Sequence, residues 1–155
     1  MNKTNAMRIL DSHKINYEVH EYEANNKLTG TEIANLLGEN PDAVFKTLVT
    51  ISKSKEYFVF MIPVNKELDL KKAAKAVNEK NVEMIPSKEL LKVTGYVHGG
   101  CSPIGMKKPF KVTINESFKY FDKIYFSGGK VGLQISTSTS DLIKLINPVI
   151  SEITF

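Results

Sequence analysis

At 155 residues the chain is long enough for one domain with a sizeable core, and 42% hydrophobic with 25% charged residues is an ordinary globular composition. No apolar stretch reaches membrane-spanning length, Met1–Leu10 lacks the apolar core of a signal peptide, and the single cysteine, Cys101, excludes an intramolecular disulfide, so a cytoplasmic protein is expected. The net charge is +4, yet Arg8 is the only arginine; lysine meets phosphate as a point charge, which suits tolerant contact with a polyanion rather than base reading of DNA.

The first element reads as a helix over residues 4–13, with Ala6, Met7, Ile9 and Leu10 as its apolar stripe. Residues 15–22 then alternate as a half-buried strand, with Ile15, Tyr17 and Val19 on one face. Residues 23–28 are polar and loop-like. Thr29-Gly30-Thr31-Glu32 is a capping box opening a helix through Ile33, Ala34, Leu36 and Leu37, which Gly38 stops. Asn40-Pro41-Asp42 is a turn.

Val44-Phe45-Lys46-Thr47-Leu48-Val49 is apolar and β-prone except for one lysine. Lysine is rarely fully buried without a partner. Alternation puts Lys46 and Leu48 on one face and Phe45, Thr47 and Val49 on the other. Lys46 therefore either lines a pocket or faces solvent from an edge or barrel strand. Residues 57–64 form the partner strand of a hairpin.

Asp69 to Val77 reads as a short helix with Leu70, Ala73, Ala74 and Val77 inward. Lys71, Lys72 and Lys75 make a basic face, either simply solvated or touching phosphate. Residues 82–85 are a brief strand, and Pro86-Ser87 opens a short helix containing Leu90 and Leu91. Strands follow at residues 112–114, 123–126 and 131–135, with Ser127-Gly128-Gly129-Lys130 as a tight turn between the last two. Thr139-Ser140-Asp141 caps a final helix that Asn147-Pro148 ends. Strands joined by short turns favour an α+β fold with a mixed, mostly antiparallel, barrel-like sheet flanked by helices.

Between Gly95 and Gly105 lie four glycines, which signal unusual φ values or close approach to the backbone. Free N–H groups around Gly99 and Gly100 suit an anion or a developing oxyanion; a purely structural turn is the alternative. His98 and Cys101 are too few ligands for a metal, and a Cys101–His98 nucleophile pair is awkward on one irregular loop. Ser127 exposes a hydroxyl at its turn, and Tyr22 ends its strand where a phenol serves either a pocket mouth or the core. No Walker or dinucleotide-binding pattern is present.

In order along the chain, Lys14-Ile15 with His20 and Tyr22, Asn40-Pro41 leading into Phe45-Lys46-Thr47-Leu48, Leu68-Asp69-Leu70-Lys71-Lys72-Ala73-Ala74-Lys75, Val82-Glu83-Met84, Thr94-Gly95-Tyr96 with Gly99-Gly100, Ser102-Pro103, Gly105 and Lys107-Lys108, and finally Ser127-Gly128-Gly129-Lys130 form a specific set. The set resembles the YbaK/EbsC family of aminoacyl-tRNA deacylases, relatives of the editing domain inserted in bacterial prolyl-tRNA synthetases. The resemblance covers nearly the whole chain and implies one editing domain over residues 1–155. It implies that Lys46 is the essential pocket lysine, and that Tyr22, Thr47, Gly99 and Ser127 surround the 3′-terminal adenosine and aminoacyl group, with Thr29, Gly100 and Gln134 as further substrate-binding positions. The implied reaction is hydrolysis of mischarged aminoacyl-tRNA, Cys-tRNA(Pro) above all. It runs without metal or cofactor, with the substrate's own thiol attacking and Lys46 holding the 3′ end. A prolyl-tRNA synthetase is the implied protein partner; membranes and DNA are not.

The chain departs from the family pattern at Thr29, where an aromatic residue is usual, at Val131 in place of Arg, at Gln134 in place of an acidic residue, and at Cys101 in place of an aliphatic one. These flank the expected pocket and bear on amino-acid preference. Two other readings stand beside the deacylase. One is a non-catalytic module of the same fold that binds tRNA or a synthetase. The other is a Schiff-base enzyme using a desolvated Lys46.

Overall fold

The computed structural model describes residues 2–23 and 28–155. The first helix, α1 (Asn5–Ser12), is capped by Thr4, whose hydroxyl accepts from Met7 N–H, and buries Ala6, Met7 and Leu10. Strand β1 (Tyr17–Glu21) is shorter than the alternation predicts, and Val19 faces out. Most of the polar 23–28 segment lies outside the described residues. The predicted capping box opens α2 (Gly30–Leu36): Thr29 Oγ1 accepts from Glu32 N–H and Glu32 returns the bond to Thr29 N–H. Only Ala34 of that helix is fully buried, and Leu36 is exposed.

Strands β2 (Phe45–Ser52) and β3 (Tyr57–Pro63) form the predicted hairpin, with Lys46 opposite Ile62. Helix α3 (Leu70–Ala76) follows, capped by Asp69, which accepts from Lys71 and Lys72 N–H. Lys72 is not merely solvated, because its ammonium donates to Thr154 O at 2.7 Å. Strand β4 (Val82–Met84), helix α4 (Leu90–Thr94), strand β5 (Lys111–Asn115), strands β6 (Lys123–Lys130) and β7 (Leu133–Ser138), helix α5 (Thr139–Ile146) and strand β8 (Val149–Ser151) complete the order.

The strands make two sheets, one of order β1-β7-β6 and one of order β4-β2-β3-β5-β8. Four of the six pairings are antiparallel; β3–β5 and β5–β8 are parallel. The α+β class and mostly antiparallel pairing hold, while the sheets meet at one isolated bridge, Val44↔Tyr125, and do not close into a barrel. The larger sheet is buried on both faces. Val59 and Met61 point into a core with Phe45, Ile114, Phe126 and Ile135, whereas Phe58, Phe60 and Ile62 pack with Ala73 and Ala74 of α3 and with Val77 at its C-terminal end. Each such large side chain contributes about 1.5–3 kcal/mol by leaving water.

Three expectations shift. Gly128 and Gly129 do not form the turn: β6 runs through them to Lys130 with an irregular register, Ser127 opposite Gln134 and Lys130 opposite Leu133, and the chain reverses at Val131-Gly132. Gly129 sits at φ +101, a conformation that bulges and turns both use. The cap of α5 is Ser138, one residue before the predicted Thr139. Strand β8 follows directly after Asn147-Pro148, where the sequence signals only an end.

Asn115 pins this last strand. Its side chain is 2% exposed, accepts from Ile153 N–H and donates to Ser117 Oγ, both at 2.9 Å. Asn115→Ala orphans a buried N–H and is expected to cost about 1–3 kcal/mol by urea unfolding.

Candidate functional site

A cleft of about 390 Å³ opens where the two sheets meet. It brings together Tyr22 just after β1, Thr29 at the cap of α2, Lys46 and Thr47 of β2, Gly99 of the glycine-rich loop, Ser127 of β6 and Gln134 of β7. These residues are far apart in sequence, and the strand registers gather them: Ser127 lies opposite Gln134, and Gln134 opposite His20.

Lys46 is partly buried and lines the cleft. It has no ion pair or hydrogen bond among the described residues. Desolvation holds its ammonium below the usual lysine value of 10.5, with a smaller opposing pull from Glu67. An unpaired cation on a half-dry wall is suited to bind an anionic or carbonyl oxygen. Thr47 Oγ1 and Gln134 Oε1 are buried atoms without hydrogen-bond partners. The hydroxyls of Thr29 and Ser127 already accept backbone N–H groups, from Glu32 at 3.2 Å and Gly129 at 3.1 Å, which leaves their protons to donate.

The loop glycines divide. Gly99, at φ +84, lies on the cleft and is exposed. Gly100 does not line the cleft, and its N–H donates to Val97 O at 2.9 Å. Of the two amides expected to act together, only that of Gly99 belongs to a cleft-lining residue, while Gly100 N–H is taken by Val97 O. Gly100 is required for close packing instead, because a Cβ there would stand 2.9 Å from Val131 N and 3.0 Å from Lys130 C.

Cys101 and His98 both line the cleft. Cys101 is 7% exposed, and burial pushes its thiol up to about 12, so it is protonated near neutrality and no ready nucleophile. Among the described residues no group of three or more His, Cys, Asp and Glu side chains is placed to hold a metal. The cleft also has an apolar wall of Ile33, Val44, Leu48, Val64, Phe126 and Leu133. Sequence reasoning missed it, since such residues read as core whether they face a void or a neighbour.

The fold matches solved structures across its length. The hypothetical protein APE2540 superposes with a TM-score of 0.88 at 18% identity, covering 98% of this chain and all of that one. A structure described provisionally as a trans-editing enzyme for prolyl tRNA synthetase gives 0.85 at 20% identity, covering 100% and 99%. At these identities the likeness defines the fold. The family model for the aminoacyl-tRNA editing domain matches residues 24–145. An Enterococcus faecalis protein provisionally named Cys-tRNA(Pro)/Cys-tRNA(Cys) deacylase EbsC is 43% identical over 153 residues, 98% of this chain and 93% of that one. The chain belongs to the aminoacyl-tRNA editing domain family.

Two outcomes follow for the site. Gly100→Ala forces backbone apart and is expected to cost about 1–3 kcal/mol in urea unfolding. For Lys46, the unfolded chain binds more protons between the lowered folded value and 10.5, so stability rises with pH across that window, and the full penalty of the charged lysine is present below it. Lys46→Met should therefore raise the urea midpoint at pH 7, by a margin that shrinks toward pH 10.5.

Proposed function

We propose that this protein hydrolyses mischarged aminoacyl-tRNA in trans, with Cys-tRNA(Pro) the leading substrate, residues 1–155 acting as one editing domain. The observation that carries the reading is the convergence on one cleft, among the described residues, of an unpaired lysine, the Gly99 loop amide, and the unsatisfied oxygens of Thr47 and Gln134. The name of the Enterococcus relative supports cysteine as the amino acid.

Among the described residues the cleft shows no activated nucleophile, and the reaction needs none. An aminoacyl ester is already activated, so positioning and charge stabilisation do most of the work. Lys46 would hold the 3′ end through its phosphate or the substrate carbonyl, and Gly99 N–H would stabilise the oxyanion. The cysteinyl sulfur then bonds to the ester carbonyl carbon and the bond to the ribose oxygen breaks. The thiol proton ends on the released ribose hydroxyl, and water opens the cyclic thioester. The apolar wall keeps bulk water away from the ester and sets the size of the accepted side chain.

The test is a deacylation panel with Cys-, Ala-, Ser- and Pro-tRNA, run with and without prolyl-tRNA synthetase. Cys-tRNA(Pro) is expected to be hydrolysed fastest, and Lys46→Ala to lose about 10²-fold or more. Undiminished hydrolysis by Lys46→Ala would sink its role. Tight binding of the tRNA 3′ end by the wild type with no hydrolysis would make the protein a non-catalytic module.

A further inference from the structure

Ser127 stands opposite Gln134 and Lys130 opposite Leu133, so Gly128 and Gly129 have no residue facing them on β7. The backbone groups of such a bulge cannot all be met by the ladder and need other partners. Two hydroxyls supply them. Ser127 Oγ accepts from Gly129 N–H at 3.1 Å, and Thr4 Oγ1, 124 positions upstream, donates to Gly128 O at 2.5 Å. A hydroxyl has one proton and two lone pairs. Thr4 gives its proton to the bulge and takes Met7 N–H at 3.3 Å on a lone pair. Ser127 uses a lone pair on the bulge, and its proton stays available on the cleft wall.

Packing confines the bulge from the same side. A Cβ on Gly129, which sits at φ +101, would stand 3.1 Å from Tyr96 Cε1 and 3.3 Å from Thr4 Cβ. Those neighbours are themselves fixed. The Tyr96 hydroxyl donates to Ile104 O at 2.6 Å, and Asn5, next to Thr4, donates through its amide to Gly105 O at 2.8 Å. Thr4 is therefore a fixed post, and the bulge is set against it. Capping α1 does not account for this contact. An N-cap needs only an acceptor for a backbone N–H, which Asp provides as well as Thr. The bond to Gly128 O needs a donor.

Resting on the deacylase reading for the identity of the ligand, we propose that Thr4 is a positioning residue for Ser127: its hydroxyl holds the Gly128 carbonyl, which keeps Gly129 N–H on Ser127 Oγ and leaves the Ser127 proton for an acceptor atom of the bound aminoacyl-adenosine end. Thr4 does not line the cleft itself, so it acts through Ser127.

The test is a double-mutant cycle read by calorimetric titration of the non-hydrolysable amide 3′-cysteinylamino-3′-deoxyadenosine into the full chain. Thr4→Asp keeps the cap of α1 and sets an acceptor against Gly128 O; Thr4→Ser keeps both bonds. Ser127→Ala is expected to weaken binding about tenfold, the upper worth of one hydrogen bond, and Thr4→Asp about fivefold or more. Thr4→Ser should stay within about twofold of wild type, and Thr4→Asp should cost nothing further in the Ser127→Ala background. The kcat/KM for Cys-tRNA(Pro) should follow the same pattern. A merely structural Thr4 would lower the urea midpoint and add its loss to that of Ser127→Ala. Should Thr4→Asp fail to fold, Thr4→Val, which keeps the shape without the proton, makes the same comparison. Additive losses, a Thr4→Asp or Ser127→Ala protein that binds like wild type, or a wild type that does not bind the probe overturns the proposal. A wild type that leaves Cys-tRNA intact while the coupling in probe binding holds removes the deacylase reading and leaves the role of Thr4 standing. Hydrolysis with additive losses removes the role of Thr4 alone.

Discussion

Keeping a lysine ammonium half out of water without a counterion requires walls that do not collapse onto it. Strand β2 supplies the first, since pairing with β3 sets Lys46 opposite Ile62 and fixes its backbone. The second wall is the β6–β7 pair, held against β2 through the Val44↔Tyr125 bridge. Helix α2 and the glycine-rich loop close the remaining sides with Thr29, Gly30, Ile33 and Gly99. Most of the cleft's polar side chains hang on these supports. Any relaxation that let a carboxylate reach Lys46 would neutralise the charge that it presents to an ester or phosphate oxygen.

Much of this arrangement was legible in the sequence, because local chemistry determines it. The Thr29–Glu32 capping box, the β2–β3 hairpin and the out-of-pattern Lys46 are each written in a few adjacent residues. What escaped depends on register. Gly128-Gly129 has the same chemistry in a turn as in a bulge, and only the pairing of Ser127 with Gln134 distinguishes them. Strand β8 escaped because its partner, β5, lies far upstream and the pairing is parallel. The exposed Leu36 and Leu91 show the same limit, as an apolar residue on a helix does not record what stands opposite it.

The site divides along the same line. Lys46, Gly99 and Ser127 stand out by residue type and context, and the family motif collects them. Gly100 shares the motif but serves packing, a difference carried by a single hydrogen bond to Val97.

The parallel half of the larger sheet has a kinetic side. Phe58 pairs with Lys111 and Thr113 with Val149, so two long loops must close before β5 and β8 reward the chain with hydrogen bonds. The β2–β3 hairpin has no such delay, and it carries Lys46. During folding the hairpin therefore forms while its outer edge still waits for β5, exposing the apolar strand Tyr57–Pro63 with unpaired backbone groups along one side. The strand that steadies the cleft in the finished molecule is thus the segment most open to wrong pairing before it is finished, and the rate at which residues 111–151 dock determines how long that opening lasts.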